Sequence, residues 1–396
     1  MKLPEFPRVC HAYKIHVPDP TTGGITEIIR TLATRLGWPS EIVVARPHGL
    51  GRTDVVEGVR VYRSTSFGSL WSMPLAPFYP LLLWQRSRQV DIVDYHFPFP
   101  LADLAFALWL PRRVALVVHW HAEIAAQKAV LPYIGWLLRR TLRRADCIVV
   151  SSQALLDHSP FLRAFAEKCV VVPYGIDTES WSTLDAGEQL HVEDLRQRCR
   201  RSIVAVGRLV SYKGFDVLLD AMPKVDGQLT IVGSGPLQDR LVEQIKSLQL
   251  QDRVHLTGYM EHSELKCLLH ACNVFVLPSV EESEAFGLVQ LEAMAAGTPI
   301  INTCLPTAVP WVARDGQEGL TVTPRSADEL AAALTRLLDD PVFASELGQR
   351  GRRRAAERFS ADRFIRETAE AYSAALGKRR QTDRNPQLAR SGNSRQ

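Results

Sequence analysis

No stretch of 18 or more uncharged apolar residues occurs in this 396-residue chain, so no membrane-spanning helix is expected. The nearest candidates, residues 70–84 and 101–110, are short and broken or bounded by proline. Pro4 and Pro7 interrupt the N-terminus at once, against the charged, apolar and small-residue order of a signal peptide. These absences lead to the expectation of a cytoplasmic protein. Cysteine is sparse: seven, irregularly spaced, with no Cys-x-x-Cys. That spacing argues against a zinc site, agrees with a reducing compartment, and leaves the cysteines to act as small buried hydrophobes. An Asp-x-Asp-type acidic loop, which a divalent cation would need, does not stand out either. No metal and no cofactor are expected.

What is present suits a globular protein. Hydrophobic residues make up 46% and charged residues 23%, as in soluble proteins, and the length fits two domains better than one core. The net charge of +4 is unevenly spread. Residues 1–180 carry 20 Lys/Arg against 15 Asp/Glu, or +5; the tail from residue 378 adds another +5, leaving −6 for residues 181–377. A basic first half points to an anionic partner there. Nothing points to nucleic acid.

The first half alternates β-rich runs with helical patterns. Residues 8–16, 41–45, 59–63, 91–95, 114–119, 147–151 and 169–172 read as strands. Residues 26–36 and 134–144 repeat apolar side chains at helical spacing. Residues 178–201 break the rhythm, being polar, acidic and without a strand. A second series follows, with strands at 202–206, 228–232, 254–257, 274–277, 298–302 and 319–322 and helices at 215–222, 236–248, 261–270 and 286–296. Helices at 327–338, 342–359 and 361–376 close the fold. The expectation is an α/β protein of two doubly wound, mostly parallel Rossmann-like units. Their boundaries are read as 1–180, a connection at 181–200, 201–358, closing helices at 359–377 that return to the first domain, and a disordered basic tail at 378–396. Open α/β sheets bind ligands at their carboxyl strand ends, and the chemistry-bearing motifs fall there.

After the strand at 202–206 comes Gly207-Arg208-Leu-Val-Ser-Tyr-Lys213-Gly-Phe-Asp. Two cations on a loop that opens a helix supply what a diphosphate needs, charge neutralisation and nearby backbone donors. Gly233-Ser-Gly235 ends the next strand and permits a tight turn, a weak signal by itself. The strongest segment is Leu277-Pro-Ser-Val-Glu-Glu-Ser-Glu284-Ala-Phe286-Gly287-Leu288-Val289-Gln-Leu-Glu292. A loop carries Glu284, a helix begins near Phe286, and the first amides of that helix, at 286–289, form an anion site. Glu292 is placed about two turns into a helix that starts near Glu284, where both carboxylates line one wall and accept hydrogen bonds from hydroxyls. In the first half, His119 and His121 lie two apart in Val117-Val-His-Trp-His121. A strand through both would aim them at one face. A bend after His119 would send only His121 to the ligand and leave His119 in the core. His96 ends another strand, where an acceptor would bind.

The Glu-x7-Glu spacing in a Glu-Ala-Phe-Gly context, with Gly-Arg-Leu-Val-x-Tyr-Lys-Gly-Phe-Asp before it, resembles the signature of the family 4 retaining glycosyltransferases of GT-B architecture. The resemblance runs from Gly23-Gly24 to about residue 376 and implies two domains facing across a cleft. It implies a nucleotide-sugar donor as substrate. Gly23 and Gly24 would meet the donor phosphates and acceptor, and Arg208 and Lys213 would clamp the diphosphate. Glu284 would contact the sugar hydroxyls, Glu292 the ribose, and His121 the transferred sugar. The amides of Phe286, Gly287, Leu288 and Val289 would take phosphate, and Tyr174-Gly175-Ile-Asp177 would play a structural part between domains. Where many relatives carry glycines and a glutamate after the strand at 298–302, this chain has Asn302-Thr-Cys-Leu-Pro-Thr-Ala-Val-Pro-Trp311. That variant resembles a bacterial subgroup that builds O-antigens and exopolysaccharides, often from GDP-mannose or GDP-rhamnose.

The acceptor side rests on residues 127–144, which mix Tyr133, Ile134, Trp136, Leu137 and Leu138 with Arg139, Arg140, Arg143 and Arg144. An interfacial helix needs an apolar aromatic face and a cationic one; a helix covering the sheet with its arginines in water fits the same pattern. The first reading gives a peripheral association with the inner membrane face and a polyprenyl-diphosphate-linked saccharide as acceptor. Three other functions stay open: a UDP-sugar-dependent transferase, a GT-B nucleotide-sugar isomerase, and a non-catalytic nucleotide-sugar-binding assembly partner.

Overall fold

Apolar runs such as Cys-Ile-Val-Val and Ala-Leu-Val-Val-His-Trp favour parallel strands covered on both faces, and the computed structural model has them. It describes residues 6–16, 23–70, 73–122 and 131–384. Contacts divide the chain into two units, Met1–Val172 with Phe364–Gln396, and Pro173–Arg363.

The strands of the first unit are β1 (Val9–Ala12), β2 (Ser40–Ala45), β3 (Arg52–Val56), β4 (Val59–Ser64), the short hairpin β5 (Ser69–Leu70) and β6 (Met73–Pro74), β7 (Ile92–Phe97), β8 (Ala115–Trp120), β9 (Cys147–Val150) and β10 (Cys169–Val171). Eight of them form one sheet in the order β10-β9-β8-β7-β1-β2-β4-β3. All its pairings are parallel except β3 with β4. Helices α1 (Gly24–Arg35), α2 (Tyr79–Ser87), α3 (Pro100–Trp109), α4 (Leu131–Arg144) and α5 (Gln153–His158) connect the strands. Alternation along β2 shows how the sheet is buried on both sides. Val43 and Ala45 pack into a core with Tyr79, Phe99, Leu138 and Leu142, whereas Ile42 and Val44 pack into another with Ile29 and Ala33 of α1. Strand β3 was not expected. It is an exposed antiparallel edge rich in charge, which lacks the apolar run that marks a central strand.

The second unit holds β11 (Ser202–Val206), β12 (Gln228–Val232), β13 (Val254–Gly258), β14 (Val274–Val276), β15 (Ile300–Thr303) and β16 (Gly319–Val322). They form a fully parallel sheet in the order β13-β12-β11-β14-β15-β16. Its helices are α6 (Thr178–Ser182), α7 (Ala186–Arg198), α8 (Phe215–Ala221), α9 (Gln238–Ser247), α10 (His262–Ala271), α11 (Val289–Ala296), α12 (Val309–Val312), α13 (Ala327–Asp339) and α14 (Pro341–Arg358). Each sheet reverses its strand order once, between β1 and β7 in the first unit and between β11 and β14 in the second. These are the switch points at which open sheets take ligands.

Two expectations need correction. Residues 181–200 are not a bare connection but part of the second unit. Asp185 and Glu188 close a capping box at the start of α7, Val192 is buried, and Glu188 pairs with Lys266 of α10 at 2.6 Å. Nor is the basic tail disordered from residue 378. Helix α15 (Ala361–Arg384) continues through it, and Arg379 Nε donates to Asp146 Oδ2 at 3.1 Å in the first unit. The rest of the expected tail, 385–396, lies outside the described residues. No described helix is long and apolar enough to cross a membrane.

Candidate functional site

At the switch point of the second sheet three strand-end loops converge. Leu209 N donates to Ser234 O at 3.0 Å, Leu237 N to Leu209 O at 3.1 Å, and Val280 N to Tyr212 O at 2.8 Å. Small residues are required where these backbones meet. A Cβ on Gly233 would stand 2.0 Å from Gly207 O, and one on Gly214, whose φ is +68°, would stand 2.1 Å from Pro278 O. The close approach folds the Lys213 side chain over Gly207 and brings its Nζ to 2.5 Å from Glu284 Oε2. Both side chains are nearly buried. Burial alone would lower the lysine's pKa, but the adjacent carboxylate holds it above its ordinary value. Ser279 Oγ also donates to Glu284 Oε2, at 2.9 Å, and its own carbonyl accepts from Thr303 Oγ1 at 2.6 Å. Arg208 is exposed on the same loop as Lys213.

The segment after Glu284 is anchored from below. Phe286 is buried, with its ring 4.9 Å from that of Tyr174 and 6.1 Å from that of Phe359. Gly287 has φ +73°, and a Cβ there would stand 2.5 Å from Leu277 Cδ2. Helix α11 starts only at Val289, with Leu288 as its N-cap. The expected start near Phe286 is therefore one turn too early. Glu292 lies in the first turn of the helix rather than about two turns in, which keeps it near the strand end. Gln290 donates to Phe286 O at 3.2 Å and accepts from Asn302 Nδ2 at 3.0 Å. Asn302 Nδ2 also binds the carbonyls of Val309 and Ala313. The segment 302–311 thus begins at a buried asparagine that braces the Glu284 loop through Gln290.

The first unit's switch point gathers a different chemistry. Gly23 is the exposed N-cap of α1, and Gly24 its first residue; Gly23 O accepts from Thr26 N at 2.9 Å. Asp94 in β7 is fully buried and accepts from three side chains, His11 Nδ1 at 2.9 Å, His119 Nδ1 at 2.6 Å and Tyr372 OH at 2.6 Å. His96 Nε2 lies 2.9 Å from Asp94 Oδ2 and 3.5 Å from His11 Nδ1. Burial alone would raise the carboxyl's pKa, but the surrounding imidazoles hold it well below the usual carboxylate range. His96 in turn places Nδ1 at 2.9 Å from His121 Nε2. The rings of His96, His119 and His121 stack within 5.0–5.9 Å of one another.

Two sequence expectations change here. His96 is fully enclosed, with both ring nitrogens engaged, so it acts on other side chains rather than on an acceptor. No bend separates His119 from His121: both stay on one side of the sheet edge, as the two-residue strand period dictates. His11, Asp94, Ser279 and Tyr372 were not foreseen. Among the described residues, His11, Asp94 and His96 have ligand atoms close enough to hold a metal ion.

Residues 22–180 match the model of a family described as Glycosyltransferase Family 4, and residues 190–354 that of Glycosyl transferases group 1. The chain is 29% identical over 384 residues to the O-antigen chain mannosyltransferase C of Escherichia coli, covering 93% of this chain and 99% of that protein. It is 31% identical over 358 residues to the D-rhamnosyltransferase WbpZ of Pseudomonas aeruginosa, covering 89% and 92%. Among solved structures, the sucrose-phosphate synthase of Thermosynechococcus elongatus matches with a TM-score of 0.77 at 21% identity, over 94% of this chain and all of that one. HepE of Anabaena in complex with UDP matches with a TM-score of 0.75 at 21% identity, over 93% and 100%. At such identities the likeness concerns the fold.

Proposed function

The chain belongs to the family 4 glycosyltransferases of GT-B fold, of the O-antigen type, and is a hexosyltransferase; on that premise we propose that it transfers mannose or rhamnose from a GDP-sugar, with retention of configuration, to a polyprenyl-diphosphate-linked saccharide in bacterial surface-polysaccharide assembly. The observation that carries this reading is the Lys213–Glu284 pair at the second sheet's switch point, with Arg208 on the same loop. Arg208 and Lys213 neutralise the diphosphate as the glycosidic bond breaks, and amides 286–289 add donors without a metal. Glu284, oriented by Ser279 and Lys213, accepts from the sugar hydroxyls; Glu292 accepts from the ribose. Gly23 and Gly24 leave the start of α1 open to phosphate, and His121 meets the transferred sugar.

The choice of sugar is supported by the names of the E. coli and P. aeruginosa relatives, and the lipid-borne acceptor by the basic face of α4 with its exposed Trp136. Turnover assayed with GDP-mannose, GDP-rhamnose and UDP-glucose, with lipid-linked acceptor and EDTA present, tests the whole reading. Activity confined to a GDP-sugar is expected, and exclusive use of UDP-glucose would overturn the donor assignment. Arg208→Ala, Lys213→Ala or Glu284→Ala should each lower kcat by roughly 10²–10³-fold, as loss of a preorganised electrostatic group does. Near-native turnover in any of them would refute its assigned role.

A further inference from the structure

A planar trans peptide points its C=O and the following N–H in opposite directions. Whatever holds the carbonyl of Phe286 therefore also aims the N–H of Gly287, one of the amides assigned to the donor diphosphate. The holder is Gln290 of α11, whose Nε2 donates to Phe286 O at 3.2 Å. Its side chain is fully buried, and its backbone N–H closes the same turn onto Gly287 O at 2.9 Å. Gln290 is itself held from behind. Asn302 of β15, also buried, donates from Nδ2 to Gln290 Oε1 at 3.0 Å and faces the carbonyls of Val309 and Ala313 at 3.1 and 2.9 Å. Its Oδ1 accepts from Thr321 Oγ1 of β16 at 2.8 Å.

These partners leave the two amides one orientation. Three acceptor oxygens surround Asn302 Nδ2, so a flipped Asn302 would set its own oxygen against all of them. Gln290 Oε1 must then face the asparagine, which commits Nε2 to Phe286 O.

We propose that Gln290, oriented by Asn302, is a positioning residue that locks the Phe286–Gly287 peptide with its N–H toward the donor diphosphate and its carbonyl turned away. The proposal deepens, and rests on, the reading of amides 286–289 as the phosphate site.

The peptide needs a lock because it is the one in this loop that turns over at least cost. Gly287 is the only glycine between residues 278 and 288 and sits at φ +73°; glycine populates both signs of φ about equally. A turned-over peptide would present the oxygen of Phe286 to the diphosphate, exchanging a charge-assisted hydrogen bond for repulsion between acceptors. A Cβ on Gly287 would stand 2.8 Å from Gln290 Nε2, so the amide lies directly against the turn it holds. The sequence neighbours Leu291 and Ile301 are apolar and fully buried. Apolar side chains at 290 and 302 would likewise avoid the desolvation cost of two amides, a cost that the lock accounts for.

The Gly287 amide is observable by itself in full-length protein carrying ¹³C-carbonyl Phe and ¹⁵N-Gly, since Phe-Gly occurs otherwise only at Phe67-Gly68. Titration with GDP and with UDP yields the Kd and the movement of that amide together. In the native protein the amide is expected to shift downfield on saturation with the tighter-binding nucleotide. Gln290→Met keeps the length of the side chain but releases Phe286 O. It is expected to weaken nucleotide binding at least about tenfold, the worth of a hydrogen bond to a charged group, and to abolish the downfield shift. Asn302→Asp reaches Phe286 through Gln290, and it reverses the polarity facing Gln290 Oε1. It should weaken binding at least as much in the native background, but by no more than about twofold once Gln290 is Met. Gln290→Met alone carries the test should Asn302→Asp not fold. A pair that merely filled the core would lower the melting temperature and leave Kd and shift as in the native protein; that result would overturn the lock. If neither nucleotide moves the Gly287 amide of the native protein, the phosphate-site reading of 286–289 falls instead, and the lock has no purpose.

Discussion

At the scale of single residues, the two units use buried charge differently. In the second, a cation and an anion neutralise each other: Lys213 and Glu284 pair at 2.5 Å, an arrangement in which removing either partner strands the other. In the first, one buried anion lies among histidines, and the buried histidines make the unit sensitive to acid. Burial holds His16 and His96 down to about 4 and His121 well below its ordinary 6.5. All three stay neutral in the fold at pH 5 to 6 but take up protons on unfolding. Unfolding therefore binds protons below pH 6.5, and stability falls as pH drops from about 6.5 toward 4. The slope is about 1.4 kcal/mol per pH unit for each histidine. Asp94 works in the other window, adding stability above its unfolded pKa and losing it only as pH falls toward its lower folded value. Urea titrations at pH 6.5, 5.5 and 4.5, followed by hydrogen exchange in β7 and β8, should show this decline; a constant midpoint would contradict it.

Among elements, α4 shows how one helix serves two purposes. Leu137, Leu138, Thr141 and Leu142 are buried against the sheet, the stripe expected of a covering helix. Trp136, Arg139, Arg140 and Arg143 are exposed. Arg144 belongs with the buried side: it donates to Asp146 Oδ2 at 3.1 Å and to Val114 O at 2.5 Å. The four arginines are thus not equivalent. Changing Arg139, Arg140 and Arg143 to Glu should leave the melting temperature within about 2 °C but abolish co-sedimentation with anionic vesicles, the attraction being about 1 kcal/mol per basic residue. Arg144→Glu should instead destabilise the protein whether or not vesicles are present. Undiminished vesicle binding by the triple variant would sink the membrane assignment. The segment 123–130, which precedes this helix, lies outside the described residues.

For the whole molecule, the closing helix ties the C-terminal residues to the first unit. Tyr372 is fully buried, stands 6.0 Å from the Trp38 ring and donates to Asp94. Seven residues on, Arg379 engages Asp146, whose Oδ2 also accepts from Leu116 N at 2.9 Å. Truncation after Gly377 keeps Tyr372 but removes Arg379. It should cost about 2 kcal/mol, the worth of hydrogen bonds to a charged group. For a unit of this size that lowers melting by roughly 4–8 °C. Differential scanning calorimetry decides the matter, since an unchanged melting profile would mean that the last turns of α15 contribute nothing.

Much of this protein is written locally. The two strand–helix series, the strand ends and the loops bearing Arg208, Lys213 and Glu284 follow from apolar periodicity and from glycines placed where only glycine fits. Those signals span a few residues each, so the chain alone determines them. Edge strand β3 escaped because a half-solvated strand needs no apolar run. The first turn of α11 was misplaced because Gly287, at positive φ, delays the helix. The polar network had no local signal at all. Asp94 meets Tyr372 across 278 residues and His11 across 83, and a buried carboxylate in a run of Val and Tyr looks in sequence like an interruption. Only the folded sheet, by placing β1, β7 and β8 side by side and laying α15 against them, decides that His11, His119 and Tyr372 converge on one anion.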